Sequence, residues 1–195
     1  MRSDTQRTSD TQRTSDTQRA QTGDAGAQDA HPEIVIAAIT ESDAGEVLTL
    51  QRAAFVSEAQ IYGSADMPPL TQTLAEVEAE LRAGDGLTAR IDGRLVGAIR
   101  FVEDDGVLLI GRIAIAPDTQ GGGIGRRLLD AAERSSSAEV AELFTGSLSE
   151  ANIRLYESVG YREHERIPQG DGTEQVFLRK PLHQVGDPSE RGASG

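Results

Sequence analysis

The chain has 195 residues, a formal net charge of −13 and no cysteine. That length suits one domain with a proper core. The missing cysteine excludes disulfides, thiolate metal sites and a cysteine nucleophile within these residues, and the acidic balance argues against the basic face of a nucleic-acid binder.

Acidity mildly favours cationic partners but names none. Hydrophobic residues make up 37%, low for a globular chain, so part of the sequence is expected to be unstructured. No apolar run approaches a membrane span, and the N-terminus lacks the apolar core of a signal peptide. A cytoplasmic protein with no membrane and no nucleic-acid partner is the expectation.

In chain order, "SDTQRT" from Ser3 recurs from Ser9, and again from Ser15 as "SDTQRA". Such a segment buries too little surface to offset its ordering entropy, so residues 1–32 read as a disordered repeat tail. Residues 33–182 read as the folded domain, and residues 183–195 as a frayed C-terminal tail.

"EIVIAAI" from Glu33 is a strand by its β-branched content. "ESDAGEVLTLQRAAFVSEAQ" carries a helical stripe at Val47, Leu50 and Ala54, with Ala53 as a further candidate. The loop "YGSADMPPL" precedes a threonine-capped helix marked by Leu74, Val77 and Leu81 and closed by Gly84. Three strands follow, turned at Asp92-Gly93 and Asp105-Gly106. A glycine-rich turn then opens a helix with Ile124, Leu128 and Ala132 on one face. The strand "AEVAELFTG", the helix "SEANIRLYESVG" and a final hairpin complete the domain. The order predicts an α/β (α+β) fold: a mixed, mostly antiparallel sheet of about seven strands flanked by four helices.

The turn "QGGGIG", Gln120 to Gly125, carries the chemistry. A helix N-terminus offers N–H groups without intrachain partners and a partial positive charge. Glycine lets an anion approach those groups without a Cβ in the way. A Walker loop requires Gly-Lys-Ser/Thr, and here Gly125 is followed by Arg126-Arg127. The dinucleotide fingerprint, started at Gly121, places its third glycine at Arg126. Neither nucleotide motif fits.

On the last helix Asn152 and Tyr156 are four apart and share a face. Ile153, Leu155 and Val159 are the expected buried stripe. Ser147 or Ser149 can cap this helix, and Ser147 with Glu150 fits a capping box.

Gln120-x-x-Gly123-x-Gly125, a strand ending in Ala116-Pro117 before it, and "NIRLYESVGYRE" after it together resemble the GNAT-type N-acetyltransferases. The resemblance covers about residues 33–182 and implies an acyl-CoA N-acyltransferase fold with acetyl-CoA as co-substrate and no metal. It implies that the N–H groups of Gly121, Gly122, Gly123, Ile124, Gly125 and Arg126 cradle the pyrophosphate. Gln120 belongs to the same motif, and Arg126 or Arg127 could meet a phosphate. The strand around Ile113 and Ile115 would splay from its neighbour and pair with the pantetheine amides. Asn152 matches the family's asparagine, which holds the cofactor arm or a water. Tyr156 matches its general-acid tyrosine, a phenol able to protonate the leaving thiolate or hydrogen-bond to it.

Acetyl transfer to an amine also needs a base. Many relatives use a carboxylate on or near the central strand, and "VLLIGRIAIAP" carries none. Glu58 and Glu103 are the remaining candidates. The segment from Ala54 to Leu74 is the expected acceptor wall, where Tyr62, Met67 and Leu70 line a pocket or serve as core. The reading is an N-acetyltransferase acting on a primary amine of a small molecule or peptide by direct attack in a ternary complex. A non-catalytic acyl-CoA-binding module of the same fold is the alternative, and a homodimer is compatible with either.

Overall fold

A computed structural model describes residues 33–182; the expected tails, 1–32 and 183–195, lie outside the described residues. The strands are β1 (Ile34–Ala38), β2 (Asp85–Ile91), β3 (Arg94–Asp104), β4 (Val107–Ile115), β5 (Val140–Gly146), β6 (Arg162–Pro168) and β7 (Glu174–Pro181). The helices are α1 (Ala44–Tyr62), α2 (Pro68–Thr71), α3 (Leu74–Ala83), α4 (Ile124–Ser135) and α5 (Glu150–Ser158). The single-turn α2 is an addition to the four expected helices. It sits in the proline loop, where Pro68 and Pro69 preset the helical φ of a first turn.

One seven-stranded sheet has the order β1-β2-β3-β4-β5-β7-β6. Every neighbouring pair is antiparallel except β4 and β5. The β2–β3 and β3–β4 hairpins close where the sequence marks them. Asp92 and Gly93 take φ of 50° and 80°, and Asp105 and Gly106 take 46° and 75°. Both central residues of such a turn need positive φ, which Asp-Gly supplies.

The two faces of the sheet are covered differently. On β3, a Cβ at Gly97 would sit 2.8 Å from Ile124 Cγ2 and 2.9 Å from Leu128 Cδ1, so that face belongs to α4. Arg100, of opposite parity, reaches Gln51 of α1 and Glu80 of α3 on the other face. α4 buries Ile124, Leu128, Leu129 and Ala132. Each of the larger three stabilises the fold by about 1.5–3 kcal/mol. α1 buries Val47 and Leu50, as its stripe predicts, and Gln51 with them. Ala54 is half-buried and Ala53 exposed.

Edge strand β6 is exposed along its whole length. Its Glu163 and Arg166 are charged and paired at 2.7 Å, a chemistry that discourages further strand pairing.

Two features of β4 shape the site. First, Ala98 faces Ala114 and Arg100 faces Gly111. β4 therefore carries one extra residue opposite Ile99, a β-bulge. Arg112 lies in the bulge at φ 51°, a left-handed conformation that a side chain bearing a Cβ rarely adopts. Second, β4 pairs with β5 only from Val107–Val140 to Ile110–Leu143. Beyond the bulge the two strands part and leave a cleft that opens toward the glycine turn.

Candidate active site

The glycine turn lies at the open end of that cleft. Gly121 and Gly123 have φ of 80° and 78°, and Gly123 is the N-cap of α4 with no side-chain cap. The Arg127 N–H is the first to bond back, to Gly123 O at 3.1 Å. Gly122 N–H donates to Thr119 O at 3.3 Å, so it is already engaged. The N–H groups of Gly121, Gly123, Ile124, Gly125 and Arg126 have no acceptor among the described residues. With the positive end of the α4 dipole behind them, they form a site for an anion. Of the two arginines, Arg126 reaches Ser158 Oγ at 3.2 Å and so ties α4 to α5.

Strand β4 contributes a further donor. Ala116 N–H bonds Val96 O at 2.8 Å, and Ile115 stands opposite Gly97 in the ladder. By antiparallel alternation the Ile115 N–H and C=O then point away from β3, into the cleft. The Gln120 side chain folds back to donate to that Ile115 carbonyl at 3.4 Å.

On the far side of the cleft, α1 and α5 meet through polar side chains. Glu58 Oε1 accepts from Asn152 Nδ2 at 3.1 Å, and its Oε2 accepts a short hydrogen bond from Ser149 Oγ. Tyr62 Oη accepts from Leu148 N–H at 2.9 Å and lies 3.2 Å from Ser149 Oγ. The single Ser149 proton is committed to Glu58, so Tyr62 donates to Ser149. The result is a directed chain, Leu148 to Tyr62 to Ser149 to Glu58, closed from the other side by Asn152.

Tyr156, one turn beyond Asn152, is buried and its ring meets Tyr161 edge-on, with centroids 6.2 Å apart. No described residue accepts a hydrogen bond from its hydroxyl, yet that oxygen is not sealed from solvent. Burial, and then the negative charge of Glu58, push the Tyr156 phenol well above the ordinary tyrosine value. It stays protonated at any working pH.

The fold thus gathers Glu58, Asn152 and Tyr156, and leaves Glu103 elsewhere. Glu103 lies at the opposite end of β3 from the glycine turn. Its carboxylate accepts from Ser137 Oγ and Ser136 Oγ, each at 2.7 Å, and from Ser137 N–H at 3.2 Å. The Ser137 and Ser136 hydroxyls hold it below the usual carboxylate range. Its geometry is that of a loop anchor.

Local expectations for α5 need correction. The N-cap position is Ser149, without a side-chain capping bond. Ser147 Oγ instead accepts from Glu174 N–H at 3.1 Å, and Glu150 pairs with Arg154 at 3.0 Å, so no Ser147–Glu150 box forms. Tyr156 is the buried residue of this helix, while Ile153, Leu155 and Val159 are only half-buried. Ser149, 2% exposed, is the functional candidate that sequence reasoning missed. A serine before a helix reads as a cap, and nothing local shows a carboxylate arriving from α1.

A cavity of about 570 Å³ lies on the α1/α3 face of the sheet. It is walled by α3, the start of β2, and β3, β4, β5 and β7. Tyr62 is spent on Ser149, and Met67 and Leu70 do not line the cavity. Among the described residues no group of His, Cys, Asp and Glu could hold a metal, and no helix is long and apolar enough to cross a membrane.

An uncapped glycine turn opening a helix, beside a strand that parts from its parallel neighbour at a bulge, defines an acyl-CoA N-acyltransferase fold. Comparison with known proteins agrees. The sequence profile of the acetyltransferase (GNAT) domain matches residues 83–163. The IAA acetyltransferase of Azospirillum brasilense is 32% identical over 117 residues, 57% of this chain and 73% of that protein. The UPF0157 protein YqkA of Bacillus subtilis is 28% identical over 144 residues, 73% of this chain; the chain spans 41% of that relative's length. The structure of yncA from Salmonella typhimurium, solved with its cofactor acetyl-CoA, superposes with a TM-score of 0.60 at 21% identity, covering 81% of this chain and 99% of that one. The chain belongs to the GNAT acetyltransferase family, and its domain is an N-acetyltransferase domain.

Proposed function

We propose that the chain transfers an acetyl group from acetyl-CoA to a primary amine of a small molecule or peptide, by direct attack within a ternary complex. The observation that carries this reading is the pairing of an N–H cradle, without intrachain acceptors among the described residues, with a carboxylate–asparagine–tyrosine cluster on two sides of one cleft. The free N–H groups of Gly121, Gly123, Ile124, Gly125 and Arg126 would hold the pyrophosphate of acetyl-CoA. The cleft edge of β4 from Ile113 to Ile115 would take the pantetheine arm, with Gln120 released from the Ile115 carbonyl to admit it. Asn152, at the mouth of α5, borders the same path.

The acceptor arrives as an ammonium, since an alkyl amine has a pKa of about 10.4. Glu58, anchored by Ser149 and Asn152, takes its proton directly or through a water. The freed amine attacks the thioester carbonyl, and the Ile115 N–H stabilises the charge that grows on the carbonyl oxygen. Tyr156 then serves the departing sulfur. A thiol has an ordinary pKa of about 8.5, well below that of this buried phenol. Tyr156 therefore acts as a hydrogen-bond donor to the sulfur as the carbon–sulfur bond breaks, and the released thiolate takes the second proton that the attacking nitrogen gives up as the amide forms. These 195 residues contain no cysteine to carry an acyl-thioester, which favours the direct route.

The test is thiol release on mixing the protein with acetyl-CoA and a panel of primary amines. Release with at least one amine, slowed in Tyr156→Phe, is expected. Tight binding of acetyl-CoA with no release on any amine would overturn the catalytic reading.

A further inference from the structure

The cavity on the α1/α3 face carries chemistry that the cleft does not account for. Its walls are mainly apolar, with Val102 and Leu109 on one side and Phe144 and Phe177 on the other. The two latter rings stand 5.5 Å apart between centroids. Phe144 is 55% exposed, a large apolar ring left bare inside a concave site. The volume falls within the range of about 300–1,000 Å³ usual for small-molecule sites.

Into this apolar cup comes a cation whose pairing is incomplete. Arg112 approaches Glu80 no closer than 3.9 Å. Both oxygens of Glu80 are already engaged, Oε2 by Arg100 and Oε1 by Gln72. Arg100 is further held by Gln51, whereas Arg112 donates no hydrogen bond among the described residues. The other acidic groups on the wall do not serve it. Glu142 accepts from Arg179 at 2.5 Å and faces His164 at 3.1 Å, and Asp85 is exposed. Arg112 also holds φ 51° next to Gly111, which could adopt that angle without cost. Backbone strain of this kind persists where a side chain is needed in place.

Position links the cavity to the transfer site. The Cβ of a residue at 146 would run into the Tyr62 ring and hydroxyl, so position 146 faces α1. Phe144, two residues earlier on β5, faces the same way and lies about 7 Å along the strand. Arg112 is the residue before Ile113, where the cleft edge of β4 begins.

We infer that this cavity is the acceptor site and that its occupant is an amino acid-like amine, with its carboxylate on the Arg112 guanidinium and an apolar or aromatic side chain against Phe144 and Phe177. The inference rests on the acetyl-transfer reading above. Such a ligand is zwitterionic, so a chain of net charge −13 does not repel it as it would a plain anion. A carboxylate bound at Arg112 leaves the neighbouring α-amine at the start of the cleft, on the face of the sheet that carries α1 and its Glu58.

The test compares L-phenylalanine with L-phenylalaninol, which keeps the ring and the amine and lacks the carboxylate. Wild-type protein is expected to acetylate phenylalanine with kcat/KM at least about tenfold above phenylalaninol. In Arg112→Gly, whose backbone the bulge tolerates, that ratio collapses toward one; Arg112→Lys, which keeps the charge, retains part of it. Calorimetry with N-acetylphenylalanine on the CoA-loaded protein gives an independent readout, with heat expected from wild type and none from Arg112→Gly. Equal turnover of the two amines, or no heat from N-acetylphenylalanine, overturns the acceptor assignment while acetyl transfer stands. If acetyl-CoA itself gives no heat, the transfer reading fails and the acceptor assignment with it.

Discussion

Glu58→Gln separates a base from a strut. Glu58 accepts from Ser149 Oγ and, at 3.1 Å, from Asn152 Nδ2. Glutamine has the same shape but one acceptor oxygen and one NH2, so it keeps one of these bonds and opposes the other. Hydrogen bonds to charged groups are worth about 1.5–3 kcal/mol and neutral ones about 1. Ser149 can turn its hydroxyl to accept instead, and the net loss is about 1–2 kcal/mol. A domain of this size loses about 2–4 °C of melting temperature per kcal/mol, so thermal unfolding should fall by about 2–8 °C. Removing the base costs far more in rate, about 10²- to 10⁴-fold in kcat. The assay is thiol release under saturating acetyl-CoA, at a temperature where both proteins are folded, across pH 6–9. In the variant the deficit should shrink as pH rises, because the fraction of neutral amine increases and less of it requires a base. Asn152→Ala leaves the carboxylate in place and should cost much less. A Glu58→Gln protein that keeps a third or more of wild-type kcat at neutral pH would refute the assignment.

Other consequences are equally open to measurement. Gly123→Ala adds a Cβ with nothing within 4 Å at φ 78°, so calorimetric unfolding should register only the left-handed penalty of about 1–2 kcal/mol. Its acetyl-CoA affinity should nevertheless fall at least about tenfold, and titration calorimetry showing full affinity would remove the cradle. Gly97→Val drives carbon into Ile124 and Leu128, within 3 Å of each, and should cost about 1–3 kcal/mol; pairing it with Leu128→Ala should recover part of that in denaturant titrations. Tyr156 and Tyr161 are held above the ordinary tyrosine value by burial first, then by Glu58 and Glu133 respectively. A raised folded value means that stability is fully present below about pH 10 and drains away above it, as the unfolded chain ionises first. Urea titrations at pH 9 and 11 should show that loss, and Tyr156→Phe should lessen it. At the acid end, burial works to raise Asp43, but hydrogen bonds from Thr40 and Arg90 outweigh it and hold the carboxyl below its usual value. Its contribution is present above about pH 4 and vanishes as pH falls further, so Asp43→Asn should flatten the acid limb of the stability curve.

The elements legible in the sequence are those fixed by near neighbours. Asp92-Gly93 and Asp105-Gly106 announce hairpins because positive φ at both positions is a local demand. The glycine turn reads as an anion site because a helix N-terminus leaves its donors unpaired whatever lies around it. What escaped notice is long-range. Ser149 and Asn152 lie 91 and 94 positions from Glu58, and no periodicity links α1 to α5. Tyr156 shows the same limit. Its ring is the buried residue of α5 because Tyr161 and the neighbouring core close over it, although Ile153 and Leu155 are the more apolar choices.

Arg112 is the sharpest case, because three properties of the site trace to its one-residue insertion. The extra residue shifts the register between Ala98 and Arg100, and β4 leaves β5 just there, after Ile110. That parting frees the Ile115 N–H for the cleft, and the same left-handed residue carries a guanidinium to the cavity wall. Deleting Arg112 would leave Ala114 opposite Ala98 and Ile115 opposite Gly97 and set Ile113 opposite Ile99, so the ladder would run unbroken with every later side chain on its present face. What is lost is the local bend that a bulge gives its strand. A straightened β4 would continue beside β5 past Ile110 and close the cleft. The deletion should therefore abolish acetyl-CoA binding while the protein still unfolds cooperatively, whereas Arg112→Gly should leave the bulge and the cleft intact. If the deletion variant still bound acetyl-CoA with wild-type affinity, the cleft would owe nothing to the bulge.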